Sequence, residues 1–283
     1  MTRKIEKAAG IGFCFGVKRA ISILEKIAHE DGGAETLGAV VHNQQVLQRL
    51  AKIGVRIADN IDDIQSNKVA ISSHGVSPQL EEEIRARHIE IVNTTCPFVH
   101  RAQIAARRLA ESGFFTIIYG DAKHPEVKGV LGWAENRGIA TIDYQIIPKF
   151  SNLPHRLGVL SQTTQIPSHF NEFVKKIIDY ALIKDSEIRI IDTICHDIRQ
   201  RQSAAIDLAN KVDLMLVVGG HTSANTKHLF ELCSKATETH LVKAPEEIQP
   251  AWLQGHYHIG ITSGASTNEQ TINEVLVKLE TFT

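Results

Sequence analysis

The sequence predicts an α/β protein of three similar lobes, each a small, mostly parallel sheet with helices, set around a pseudo-threefold axis. Three observations carry this expectation. First, "IEIVNTTCPF" at 89–98 recurs as "IRIIDTICHD" at 188–197, which puts Cys195 on Cys96 at an offset of 99. Second, each cysteine is followed by alternating helical and strand-like segments, the pattern of parallel sheets with crossover helices. Third, the segment Lys4–Ala8 has no role in a first copy that begins at Cys14, while the last copy lacks a closing strand.

The elements follow in order from each cysteine. Offsets +3, +6, +7, +10, +13 and +14 form one helical face. In the first copy they are Val17, Ala20, Ile21, Leu24, Ile27 and Ala28; the later copies break the stripe only at Gln103, Arg201 and Gln202. Each cysteine therefore stands at or just before a helix N-terminus, where partial positive charge favours thiolate. An apolar strand comes next, FTIIYG at 115–120 and LMLVVG at 214–219 in the later copies. A polar loop follows, with His42, His124 and Ser223 all at +28. A further strand in each copy ends in hydroxyl-rich loops: "VAISSHGVS" with His74, "LGVLSQTTQ" with Thr163, and "IGITSGAST" with Ser266.

The copies define lobes at 15–95, 96–194, and 195–283 plus 1–14. The last assignment expects the N-terminal segment to supply the strand missing after the helix Asn268–Glu280, closing the ring.

Composition excludes several classes. The 31 basic and 32 acidic residues give no electrostatic case for nucleic acid or an anionic membrane. No apolar run approaches a membrane span, and no secretion signal follows the N-terminal MTRKIEKAAG. A cytoplasmic monomer is expected, with Cys14, Cys96, Cys195 and Cys233 reduced. There is no Walker-type loop and no GxGxxG after a strand.

Equivalent residues meet at a pseudo-threefold axis, so Cys14, Cys96 and Cys195 are expected to converge there as soft metal ligands. Zinc with a fourth histidine and an iron–sulfur cubane with one open iron both fit that donor set. Cys233 has no counterpart and reads as a packed core residue. His42, His74 and His124, with Ser223, Asn225, Ser266 and helix-start amides, suit an anion. His29, His88, His155 and His169 lie outside the repeat positions. Glu126 either caps the helix that begins near Pro125 or donates a proton from a desolvated pocket.

The ordered set "GFCFGVKRAI", "VVHNQ", "SSHGVS", "TTCPFV", "HPEVKG", "SQTT", "TIC", "SAN" and "GAST" resembles the 4-hydroxy-3-methylbut-2-enyl diphosphate reductase (LytB/IspH) family over essentially the whole chain. The resemblance implies a three-lobed fold with a 4Fe–4S cluster at the centre, held by Cys14, Cys96 and Cys195. One iron is open, and a 3Fe–4S form remains when that iron is absent. It implies two-electron reductive dehydroxylation of the allylic diphosphate to isopentenyl and dimethylallyl diphosphate, the last step of the non-mevalonate isoprenoid pathway. His42, His74 and His124 then lie on the diphosphate side, and Glu126 is the proton donor. Thr163 stands beside the substrate hydroxyl, and Ser223, Asn225 and Ser266 complete the pocket. Ferredoxin or flavodoxin is the implied electron donor. Three departures stand out: Ala224 where a second serine is common, "HDIRQRQ" after Cys195 where an Ala-Thr pair is common, and Asn268 where proline is common.

Overall fold

The structure, a computed structural model, describes residues 3–41, 43–149, 154–182 and 186–282. Among them the chain opens with β1 (Lys4–Lys7) and α1 (Phe15–Asp31). Then come β2 (Ala34–Leu37), α2 (Gln44–Lys52), β3 (Val55–Ala58), β4 (Lys68–Ile71), α3 (Pro78–Ala86) and β5 (Glu90–Asn93). The second round is α4 (Pro97–Glu111), β6 (Phe115–Tyr119), α5 (Pro125–Trp133), β7 (Gly138–Thr141), β8 (Arg156–Ser161), α6 (Pro167–Leu182) and β9 (Glu187–Ile190). The third is α7 (His196–Ala209), β10 (Leu214–Val218), α8 (Ala224–Ser234), β11 (Glu238–Val242), β12 (His258–Ser263) and α9 (Glu269–Glu280).

These strands form three four-stranded sheets in the orders β3-β2-β4-β5, β7-β6-β8-β9 and β11-β10-β12-β1. Every pairing is parallel, and β1 takes in the third sheet the place that β5 and β9 take in theirs. Lys4 to Lys7 register against His258 to Ile261, so the N-terminal segment does supply the missing strand. One strand per sheet was not anticipated: β3, β7 and β11, which follow the second helix of each round. They are edge strands that pair on one side, and they carry no long apolar run.

Position in the sheet explains what the sequence shows. Central strands covered on both faces read as continuous apolar runs; β10, "LMLVV", is buried throughout. The fourth strands "KIEK", "EIVN" and "EIRI" are edges, and their charges blunt the exposed ladder. The helix stripe is buried in α4 and α7, including its polar exceptions Gln103, Arg201 and Gln202, while in α1 Val17 and Ile27 are only partly buried.

The chain divides into two compact units. One comprises residues 1–18, 41–47 and 196–283 and contains the β11-β10-β12-β1 sheet; the other comprises 19–40 and 48–195 and contains the other two sheets. In the first, alternate residues of β10 serve opposite faces. Leu214, Leu216 and Val218 pack with Ile272, Val275 and Leu279 of α9, while Met215 and Val217 pack with Ala205 and Leu208 of α7 and with Cys233. Cys233 is fully buried and its Sγ lies 3.8 Å from the Ala205 carbonyl. Burial pushes that thiol up to about 12.

Candidate active site

Each candidate cysteine occupies the same local setting. It follows the fourth strand of a sheet and immediately precedes a helix that begins at Phe15, Pro97 or His196. Its N–H donates to a carbonyl in the turn that ends the third strand: Cys14 to Ala265 at 3.0 Å, Cys96 to Ser73 at 3.0 Å, and Cys195 to Thr163 at 2.9 Å. Those turns are themselves closed alike, Gly75 N–H on Ser72, Gln165 on Gln162 and Thr267 on Gly264. The turns lie at the carboxyl ends of parallel strands, where α/β sheets place their ligands. Burial raises the Cys14 thiol, and the N–H groups of Val17 and Gly16 and the nearby Arg201 charge offset this only in part, with Asp197 adding to the rise.

In the unit of residues 19–40 and 48–195, Glu126 is 2% exposed at the start of α5. It accepts from the Thr163 N–H at 2.7 Å and from the Thr163 hydroxyl at 2.8 Å. Loss of water raises its pKa, and these two hydrogen bonds only partly offset that. His124 caps α5: its Nδ1 accepts from the Glu126 N–H at 3.2 Å, so the neutral ring carries its proton on Nε2. The His74 ring stands edge-on to it, centroids 5.3 Å apart. His74 is held through its turn, because Gln103 donates to the Val76 carbonyl at 3.4 Å and the Trp133 indole to the same oxygen at 2.9 Å.

In the other unit, Ser223 caps α8 through Thr226 N–H at 3.4 Å, and Asn225 follows in the first turn. Asn225 is 5% exposed, and neither side-chain polar atom has a hydrogen-bond partner among the described residues. Leaving such groups unmet costs roughly 1–3 kcal/mol each. The Ser266 carbonyl receives Asn43 Nδ2 at 3.1 Å, which ties the head of α2 to the turn after β12. Gln45 Oε1 adds to that tie, accepting from Asn268 at 2.9 Å and from Thr271 at 2.8 Å.

Two alignments from the sequence shift by one residue. The caps of the second helices are Asn43, His124 and Ser223, so Asn43 and not His42 is the structural counterpart in the first round. His42 itself lies outside the described residues. Counting from the matched turns, Thr164 and not Thr163 corresponds to His74 and Ser266. Thr163 corresponds instead to Ser73 and Ala265, the residues whose carbonyls hold the cysteines. A fixed +28 spacing hides a one-residue difference in loop length; an N-capping asparagine just ahead of "QQVL" was the available signal for Asn43.

The chain is thus an all-parallel α/β protein in which a cysteine stands at the start of one helix for each sheet. The LytB protein family model matches residues 5–280, and the chain belongs to that family. It is 61% identical, over 98% of each chain, to a 4-hydroxy-3-methylbut-2-enyl diphosphate reductase of Dehalococcoides mccartyi (strain CBDB1). It is 39% identical to the reductase of Geobacter sulfurreducens over 99% of this chain and 98% of that one. Among solved structures, the E-1-hydroxy-2-methyl-but-2-enyl-4-diphosphate reductase of Plasmodium falciparum matches with a TM-score of 0.91 at 26% identity, over 99% of this chain and 88% of that one.

Proposed function

We propose that this protein is a 4-hydroxy-3-methylbut-2-enyl diphosphate reductase, yielding isopentenyl and dimethylallyl diphosphate in the last step of the non-mevalonate pathway. The observation that carries the chemistry is one chain of contacts: buried Glu126 bonds Thr163, and the Thr163 carbonyl bonds the Cys195 N–H. A proton donor is thereby fixed to the same turn as a candidate ligand.

Cys14, Cys96 and Cys195 hold a 4Fe–4S cluster in this reading. Their fit is supported by the soft donor set, by their shared position at helix N-termini and by the equivalent backbone bond each one makes. When bound, such a cluster supplies two electrons in single steps and, at its fourth iron, a Lewis acid.

The chain's own residues do the rest. His124, with its Nε2–H, and His74 and His42 bind the diphosphate, with Ser223, Asn225 and Ser266 and the amides at the starts of α5 and α8. Asn225 gains partners for both unmet atoms. Ala224 offers no hydroxyl, so its backbone N–H at the first position of α8 is its contribution. Loss of water favours the protonated form of Glu126 over the ionised one. With the proton on Oε2 the contact runs from Glu126 to the Thr163 oxygen, the reverse of the direction described above, and the threonine O–H is free to turn to the substrate hydroxyl. Two electrons and two protons are consumed, and water leaves. The cytoplasm is the compartment this reading implies, since thiolate ligands need reducing conditions, and ferredoxin or flavodoxin is the electron donor. Among the described residues no helix is long and apolar enough to cross a membrane.

Anaerobic reconstitution tests the reading. The wild-type protein is expected to show iron–sulfur absorption and to reduce the hydroxylated diphosphate with a reduced viologen. Cys96→Ser is expected to lose that absorption; a normal spectrum removes Cys96 from the ligand set. Glu126→Gln is expected to keep the spectrum and lose turnover by roughly 10²–10⁴-fold, the usual worth of a general acid.

A further inference from the structure

Three arginines, one on each helix that follows a cysteine, reach the backbone just ahead of another cysteine. Arg19 of α1 donates to the Thr95 carbonyl at 3.2 Å, next to Cys96. Arg101 of α4 donates to the Asp192 carbonyl at 3.1 Å, ahead of Cys195. Arg201 of α7 donates to the Gly12 carbonyl at 2.8 Å, ahead of Cys14, and to the Ser263 carbonyl at 3.0 Å. The third differs from the others. Arg19 and Arg101 stand at +5 from their cysteines, but Arg201 stands at +6, on the buried stripe where the other rounds have Ala20 and Ala102. Arg201 is 4% exposed.

The reason lies two residues ahead of each cysteine. Thr94 and Thr193 send their hydroxyls to the last carbonyls of β4 and β8, Ile71 and Ser161. The corresponding residue in the third round is Gly12, at φ +93° and with no hydroxyl. Its N–H is taken by the Ser263 hydroxyl at 2.8 Å, and the vacant role at the Ser263 carbonyl falls to Arg201. A neutral hydroxyl used twice is thus replaced once by a buried guanidinium. Asp197, half-buried, bonds the Phe15 N–H at 3.2 Å on the other side of Cys14 and brings the opposing charge.

We infer that Arg201 is a positioning residue for Cys14 and the fixed positive charge that makes this ligand electrostatically unlike Cys96 and Cys195. The inference rests on the cluster reading above. Each electron taken up makes a thiolate-bound cluster one charge more negative. A permanent cation held in a low-dielectric interior beside one ligand favours that uptake and raises the reduction potential. Arg201 therefore helps set how readily the cluster accepts its electrons while also holding the loop of Gly12 and Cys14.

The test uses cluster-loaded protein and two readouts, the midpoint potential and backbone hydrogen exchange. Arg201→Met is expected to lower the potential and to speed exchange in the 9–15 peptide, leaving 93–97 unchanged. Arg201→Gln keeps a donor for the carbonyls and is expected to lower the potential with a smaller change in exchange. Arg201→Lys keeps the charge and is expected to stay nearer the wild-type potential than either. Arg101→Met, which removes an exposed charge, is expected to shift the potential least, and Asp197→Asn is expected to raise it. A wild-type potential in both Arg201→Gln and Arg201→Met, with an intact iron–sulfur spectrum, overturns the electrostatic role. Unchanged 9–15 exchange in Arg201→Met overturns the positioning role. A wild-type protein that never acquires the spectrum refutes the cluster reading instead, and the exchange result still decides whether Arg201 holds the loop.

Discussion

Burial holds the Glu126 carboxyl above the ordinary range against two hydrogen bonds that favour its charge, so the folded protein keeps a proton the unfolded chain releases. Between the unfolded pKa and the raised folded value, the native state binds more protons than the unfolded state. Stability therefore falls as pH rises through that window and is fullest below it. Glutamine at this position satisfies the same partners. Its oxygen accepts the Thr163 N–H, and its amide donates to the threonine oxygen. Glu126→Gln should accordingly unfold at a higher temperature than wild type at neutral pH, with the gain shrinking toward pH 4. Thermal melts across that range check it; a lower melting temperature at neutral pH would mean the charged form is not penalised as the burial implies. The identity of Glu126 was legible from "HPEV", but its choice between cap and acid was not. That choice depends on Thr163, which is 37 residues away and reaches the carboxylate only once β8 lies beside β6.

Among the elements, the turn after β4 shows how packing details place a ligand. Gly75 lies at φ +67°, a conformation side chains enter at a cost of roughly 1–2 kcal/mol. A Cβ there would also stand 2.3 Å from the Gln103 amide nitrogen and 3.0 Å from the Thr95 methyl. Gln103 is the residue that binds Val76, and Thr95 adjoins Cys96. Gly75→Ala should therefore cost at least the conformational penalty in urea denaturation and also weaken cluster retention, whereas Gly10→Ala, which meets nothing within 4 Å, should pay only the conformational part. Equal cluster retention in the two variants would deny that this turn positions Cys96. The polar breaks in the helix stripes are explained by the same logic. Gln103 and Arg201 look like errors in an apolar face when read as sequence, but each reaches a backbone carbonyl of a cysteine-bearing or histidine-bearing turn. Periodicity identifies the face; it does not identify what a polar residue on that face will find.

For the whole molecule, the three-sheet plan was legible because β6 and β10 are apolar runs and because the cysteines share a phase. The edge strands β3, β7 and β11 were not, since one-sided pairing asks little of composition. The closure by β1 was legible by subtraction and makes the most exposed commitment of the fold. β1 has four residues, only partly buried, and it is secured by Arg3, whose guanidinium donates to the carbonyls of Leu253, His256 and Phe282. Hydrogen bonds from a charged donor are worth about 1.5–3 kcal/mol where their loss strands the acceptors. Arg3→Ala should lower stability by about that amount. The loss should not be uniform, because among the described residues β1 pairs with β12 alone, and Cys14 follows it on the chain. Hydrogen exchange should quicken in the peptides of β12, β10 and α9, while β6 and β8, which belong to the other unit, keep their protection. If β6 and β8 lose protection in step with β12, the two units unfold as one and the N-terminal strand is a latch for the entire chain. If only the β12 side responds, closure by β1 is a local device that fixes the segment leading to Cys14.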